Sequence, residues 1–212
     1  MLGANDGIVS TAGSVVGVAA ATVARGPIMT AGIAGLAAGA VSMALGEYVS
    51  VSAQRDTEEA LLRQERRELR ADPSAELDEL AALYEAKGLS AATARTVAEE
   101  LTDYDPVAAH AEVELGFDPS ELTSPWQAAL SSALSFSVGA LLPLIAILAA
   151  PIALRIPVTV AAVLLALVVT GAVSAALGGA PKNRAVLRNF VGGGLALAIT
   201  YAIGHLVGAA IN

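Results

Sequence analysis

Apolar residues run almost unbroken from Leu2 to Ala24 and again from Ile28 to about Ser52, before polar residues take over as far as Leu122. Three more apolar runs follow, at Trp126–Ala150, Leu154–Leu177 and Val186–Ile211. A helix needs about 20 such residues to cross a hydrocarbon core, so each run predicts a span. No strand-like alternation occurs between them. The pattern predicts an all-α integral membrane protein with five transmembrane helices and a helical insert. Its parts are residues 1–52 (spans one and two), 53–122 (the insert) and 123–212 (spans three to five).

Local signals refine this outline. Arg25-Gly26-Pro27 predicts a turn between the first two spans, and the second helix is expected to continue beyond the membrane through Gln54 to Arg70. In the insert, Asp72-Pro73 stops one helix and caps the next, which ends at Lys87-Gly88. Ser90 opens another helix ending near Tyr104, Asp105-Pro106 opens a third ending at Gly116, and Asp118-Pro119 and Ser124-Pro125 lead back to apolar sequence. In the spans, Gly13/Gly17 and Gly35/Gly39 are small-xxx-small pairs that permit close helix approach and predict dimerisation through those faces. Pro143 is expected to kink the third span, and Trp126 suits an interfacial anchor.

Charge sharpens the division. Of the 20 acidic residues only Asp6 lies outside Glu47–Glu121, so the acidity behind the net charge of −8 is concentrated in that stretch. An acidic insert favours cations and excludes nucleic acid as a partner. Without cysteine the chain has no disulfide, thiolate metal site or cysteine nucleophile. No basic segment precedes the first apolar run, so a cleaved signal peptide is not expected. Seven basic residues in the insert, with Lys182, Arg184 and Arg188, oppose Arg25 and Arg155 on the other side. That bias predicts a cytoplasmic insert and a cytoplasmic N-terminus.

The candidate chemistry lies in the glutamates. Glu65 and Glu68, then Glu76 and Glu79, are spaced i, i+3, one pair on each side of Asp72-Pro73, so two helices folding back would bring four carboxylates together. At about 100° per residue, Leu61, Leu62 and Leu69 all lie within about 60° of Glu65, in the middle of an apolar stripe. Leu80 and Leu83 flank Glu76 in the same way. Burying carboxylates without a partner costs several kcal/mol, which implies a cation. A metal ion would serve, and so would the arginines at 63, 66, 67 and 70. His110 and Glu114, i and i+4 beside Val107 and Val113, extend the donor set. Carboxylates with one imidazole suit Fe²⁺, Mn²⁺ or Zn²⁺, with Co²⁺ also open. Within the spans, Asp6 and Glu47 are the acidic residues, and intramembrane carboxylates are costly and by default functional. Met43, one turn before Glu47, offers a thioether. His205 has no acidic neighbour in sequence and reads as structural.

These residues together resemble the vacuolar iron transporter family over essentially the whole chain. Gly3-Ala4-Asn5-Asp6-Gly7-Ile8-Val9-Ser10 is similar to the family's opening signature, and Ser42-Met43-Ala44-Leu45-Gly46-Glu47-Tyr48 to its second-span exit. The spacing of Glu65, Glu68, Glu76 and Glu79, with Val113-Glu114-Leu115-Gly116, resembles the family's cytoplasmic metal-binding domain. The resemblance implies a homodimer whose path lies at the subunit interface and proton-coupled export of Fe²⁺ or Mn²⁺. It assigns Asp6 and Met43 to the membrane path, and Glu65, Glu68, Glu76, Glu79 and Glu114 to the cytoplasmic site. There are departures. Gly35 stands where plant members carry a second-span glutamate, with Glu47 as the candidate replacement, and His110 and Ala111 stand where they carry methionines. Members also have an amphipathic lead-in before the first span, which implies a truncated N-terminus here.

The expectation is therefore a proton-coupled divalent-metal transporter in a lipid membrane. Its Ala- and Arg-rich composition suggests a bacterial cell membrane. A membrane-anchored metal sensor or store is the alternative. An oxidoreductase is not expected, because thiols, haem-ligand pairs and a nucleotide loop are lacking.

Overall fold

The computed structural model describes residues 2–211, and every regular element in it is a helix. In order these are α1 (Leu2–Ala21), α2 (Arg25–Ala71), α3 (Pro73–Ala86), α4 (Ala91–Tyr104), α5 (Pro106–His110) running on as a π-helical turn (Ala111–Leu115), α6 (Pro125–Ala149), a 3₁₀ turn (Ile152–Leu154), α7 (Arg155–Leu177) and α8 (Lys182–Ile211). The chain divides into two compact units, one built from residues up to Glu47 together with those from Trp126 on, the other Tyr48–Pro125.

α2 is one unbroken helix of 47 residues, about 70 Å long at 1.5 Å per residue. Arg25-Gly26-Pro27 is its first turn; the turn between helices is 22–24 instead. Proline fits there because the N–H it lacks would have no intrahelical partner. Likewise Lys182, Arg184 and Arg188 lie in α8 itself and not in the loop before it. Among the described residues four helices are long and apolar enough to cross a membrane: α2, α6, α7 with its preceding 3₁₀ turn, and α8. α1 has the length of a span, but Asn5, Asp6, Ser10, Thr11 and Ser14 dilute its apolar character.

In the first unit α1 has partners on several faces. Ile8, Ala12 and Val16, at i, i+4 and i+8, form a buried cluster with Val163 and Leu167 of α7 and Leu197 of α8. Val15, on an adjoining face, joins Ile28 of α2 and Leu144 and Ile147 of α6. Glycines allow the closest approaches. A Cβ on Gly204 of α8 would overlap the carbonyl oxygen of Gly17, and one on Gly13 would press on Thr200 at 3.2 Å. Gly39 of α2 receives the ring of Phe136 of α6. The Gly13/Gly17 face is thus used inside the chain, against α8. The expectation that it dimerises the protein is corrected accordingly, since small residues specify a close approach without naming the partner. Gly204→Ala should therefore lower the thermal stability of the purified protein by about 1–3 kcal/mol through overpacking, without changing its oligomeric state in detergent. Thermal unfolding and light scattering on the same sample check both halves.

At one end of this unit two arginines tie the turns together. Arg25 donates through Nη2 to the carbonyl of Leu148 (3.1 Å), and Arg155 through Nη1 to the carbonyl of Val23 (3.0 Å).

Candidate metal centre

The second unit is assembled by local rules. Asp72 caps α3 by accepting from the Ala75 N–H (3.1 Å) with Pro73 at the first helical position, Ser90 caps α4, and Asp105 caps α5 by accepting from the Ala108 N–H (3.0 Å). Leu80, Ala81, Ala98 and Ala109 form the buried core that holds these helices together, with Leu77, Tyr84, Leu101 and Val113 against it. After His110 the helix loosens into a π turn that Gly116 closes with φ +78°, the left-handed conformation glycine adopts without penalty. A π turn holds about 4.4 residues, so His110 and Glu114 stand nearly above one another.

Three elements converge on the His110 ring. Its Nδ1 lies 3.2 Å from Glu65 Oε1 of α2, 3.4 Å from Glu114 Oε2 of the π turn and 3.9 Å from Glu76 Oε2 of α3. Glu65 is 2% exposed and His110 is fully buried, despite being the most polar groups in their surroundings. One ring nitrogen carries at most one proton, and of the three contacts only that with Glu114 has hydrogen-bond geometry, its direction set by the ring tautomer. Glu65 Oε1 is left buried without a hydrogen-bond donor, as is His110 Nε2. The four arginines do not relieve this. Arg63 pairs with Glu59 at 3.7 Å, and among the described residues no ion pair joins residues 63, 66, 67 or 70 to Glu65 or Glu76.

A divalent ion would satisfy the stranded oxygens. Donor atoms of Glu65, Glu76 and His110 all lie within 4.8 Å of one another. Two ligands on an ion with bonds of about 2.1 Å reach at most about 4.2 Å apart, so the cluster needs to close by only a few tenths of an ångström on each side. Glu114 stands beside it at the rim. Glu68 and Glu79 remain exposed, with their charges felt at Glu76.

Burial, then repulsion from Glu114, Glu76 and Glu68, pushes the Glu65 carboxyl above its ordinary value of 4.5, against an opposing pull from His110. Burial, then Glu79, does the same at Glu76. The sign follows directly. Acids raised in the folded state bind protons more tightly there than in the unfolded chain, so metal-free stability falls as pH rises through the folded values. Asp72 and Asp118, lowered by hydrogen bonds to Ser74 and Ser120, act in the opposite sense only below about 3.8. With chelator present, the melting temperature should therefore rise from about pH 7 to about pH 5; with saturating metal it should fall. Parallel melts across that range check the reversal.

The first unit holds a separate polar cavity of about 160 Å³, lined by Asp6, Ser10, Thr11, Ser14, Gly35, Gly39, Ser42, Met43 and Phe136. It brings Asp6 and Met43 together. Glu47 is not among the lining residues, because one further turn carries it about 6 Å along α2 and about 40° around it. Gly35 does line it, and a Cβ there would meet nothing closer than Ser14 Oγ at 3.8 Å. Ser10 donates to the Asp6 carbonyl (2.6 Å) and Ser14 to the Ser10 carbonyl (3.0 Å), so both hydroxyls keep oxygen lone pairs for a cation. Thr11 Oγ1 is buried without a partner. Sequence reasoning missed these hydroxyls, although Ser10 and Ser14 follow Asp6 at i+4 and i+8 on one face of the helix.

A family model described as the VIT family matches residues 1–205. A vacuolar iron transporter of Acanthamoeba castellanii is 40% identical over 209 residues, covering 97% of this chain and 76% of that protein. Vacuolar iron transporter homolog 1 of Oryza sativa subsp. japonica is 39% identical (98% of this chain, 72% of that one). Vacuolar iron transporter homolog 3 of Arabidopsis thaliana is 38% identical (98% and 81%).

Proposed function

The chain belongs to the VIT family, and from that premise we propose that it is an integral membrane transporter, not an enzyme, exporting Fe²⁺ or Mn²⁺ from the cytoplasm in exchange for protons. The observation that carries this reading is the Asp6 carboxylate sharing a hydroxyl-lined cavity with the Met43 thioether inside a largely apolar unit. A divalent ion entering hydrocarbon must replace its water shell and offset its charge, and this cavity offers a carboxylate, hydroxyl oxygens and a soft donor for that purpose. Asp6 is also its one lining group able to hold metal and proton in turn.

In this reading α1 is the fifth span, the insert is cytoplasmic, and Glu65, Glu76 and His110, with Glu114, Glu68 and Glu79 around them, capture the ion. Zn²⁺ and Co²⁺ suit the same donors. The cargo reaches Asp6 and leaves on the opposite side as a proton moves inward. A homodimer and a bacterial cell membrane belong to the proposal too; the relatives compared are eukaryotic, so the latter rests on composition.

The sensor or store is the second reading, favoured by the buried Glu65–Glu76–His110 cluster alone. Flux separates the two. Purified protein sealed in vesicles should move Fe²⁺ or Mn²⁺ faster under an imposed pH gradient than without one. Intact binding with no flux under either condition would replace transport by sensing.

A further inference from the structure

Arg155, the first residue of α7, is 3% exposed, and among the described residues no ion pair joins it to a carboxylate. The acidic side chains of its unit are Asp6 and Glu47, and neither lines the cavity beside it. Nη1 donates to the Val23 carbonyl, while Nε and Nη2 are buried and have no hydrogen-bond partner. The vacant pair is informative. Nε–H and Nη2–H lie on one edge of the guanidinium and point the same way, the fork that holds two oxygens of a carboxylate or phosphate. A buried cation with two idle donors costs several kcal/mol unless something compensates it.

Arg155 lines a small cavity together with Thr22, Val23, Ile28, Ile152 and Ile156. Thr22 Oγ1 accepts from the Ala24 N–H (3.2 Å), which leaves its own O–H free to donate. The N-terminus of α7 adds to the field: this 23-residue helix begins there with no side chain capping it. Its partial positive charge favours an anion.

We propose that Arg155, with Thr22 and the N-terminus of α7, forms a phosphate-binding site at the end of the spans where the α1–α2 and α6–α7 turns meet. The cavity measures about 20 Å³, roughly the room of one water, so only the oxygens of the anion enter it. The rest of the ligand stays outside, as the headgroup of a phospholipid would with its chains in the bilayer. Inorganic phosphate offers the same oxygens. The bound anion would neutralise Arg155 and hold the guanidinium against Val23, fixing the two turns. This site is independent of the metal centre and of the transport reading.

The test uses the purified full chain, freed of lipid in a neutral detergent. Dioctanoyl phosphatidylglycerol and inorganic phosphate are titrated separately, with chloride at matched ionic strength as the screening control, and thermal unfolding and native mass spectrometry are read. Wild type should gain stability saturably with a phosphate ligand and not with chloride. Saturation by the lipid at the lower concentration assigns a headgroup; saturation by inorganic phosphate first assigns a free anion. Arg155→Gln should lose the response. Arg155→Lys keeps the charge but replaces the two-pronged edge with a point charge, and should bind at least about tenfold more weakly. Should Arg155→Gln not fold, the wild-type titration and Arg155→Lys still decide. Wild type responding to neither ligand, or Arg155→Lys binding as tightly as wild type, would overturn the site.

Discussion

Asp6→Asn is expected to stop metal flux while leaving metal binding at the insert unchanged. The substitution keeps the size of the side chain and its hydrogen bonding, and removes the negative charge together with the group that accepts a proton. Asp6 lines the cavity of the first unit, whereas Glu65, Glu76 and His110 all lie in the second. Their affinity for metal therefore has no reason to change. A charge at the centre of a bilayer costs about 3 kcal/mol on insertion scales, so loss of the compensating carboxylate should cut flux by at least about 100-fold. Ser10, Thr11, Ser14 and Ser42 can supply oxygen to an ion but cannot neutralise it. Met43→Ala should weaken flux less, for it removes a ligand and no charge. Calorimetry for binding and vesicle flux under an imposed pH gradient, done on each variant, give the two readouts. Normal flux through Asp6→Asn would make this carboxylate a bystander at the water interface. The transport reading would then have to rest on Met43 and on Glu47, which lies outside the cavity.

What could be read in advance was whatever local sequence determines. Leu62 and Leu80 are buried beside Glu65 and Glu76, as the leucine stripes require, although Leu61 of the same stripe is exposed; Asp78, on the other face of α3, pairs with Arg95 on the surface. Asp72, Ser90 and Asp105 cap the helices they precede, because a cap needs only the next three residues. What escaped was set by distant packing. A π turn has no residue signature, so the alignment of His110 with Glu114 could be expected from i, i+4 spacing but not its cause. Gly13 and Gly17 announced a close neighbour without saying that it was α8 of the same chain. Arg155 counted only as one of two basic residues opposite the insert, because its carbonyl partner lies 132 residues earlier. Gly35 appeared as a missing carboxylate; the fold makes it an opening in the wall of the Asp6 cavity.

Glu65→Gln distinguishes a metal ligand from half of a structural ion pair, because the two roles predict opposite signs. Were Glu65 held by a protonated His110, deleting its charge would break a buried pair and cost about 3–5 kcal/mol. The geometry argues otherwise. Glu65 Oε1 lies 3.2 Å from Nδ1 without a hydrogen bond, and the hydrogen bond of Nδ1 is with Glu114 instead. Burial and three neighbouring carboxylates disfavour the ionised form, so in the absence of metal the charge on Glu65 opposes folding. Glutamine keeps the shape, has no charge to desolvate, and its amide can donate to Glu76 or Glu114. The metal-free protein should therefore melt at a higher temperature near neutral pH. Metal binding should move the other way. Altering a residue that merely supports a ligand commonly costs 10–100-fold in affinity, and loss of a charged ligand should cost more than about 100-fold. The stabilisation that metal confers on wild type should shrink in proportion. Melts with chelator and with Mn²⁺, run beside calorimetry, test both halves on one preparation. A metal-free variant less stable than wild type, with its metal affinity intact, would make Glu65 a structural partner of His110 and leave the capture of metal to the exposed carboxylates at the rim.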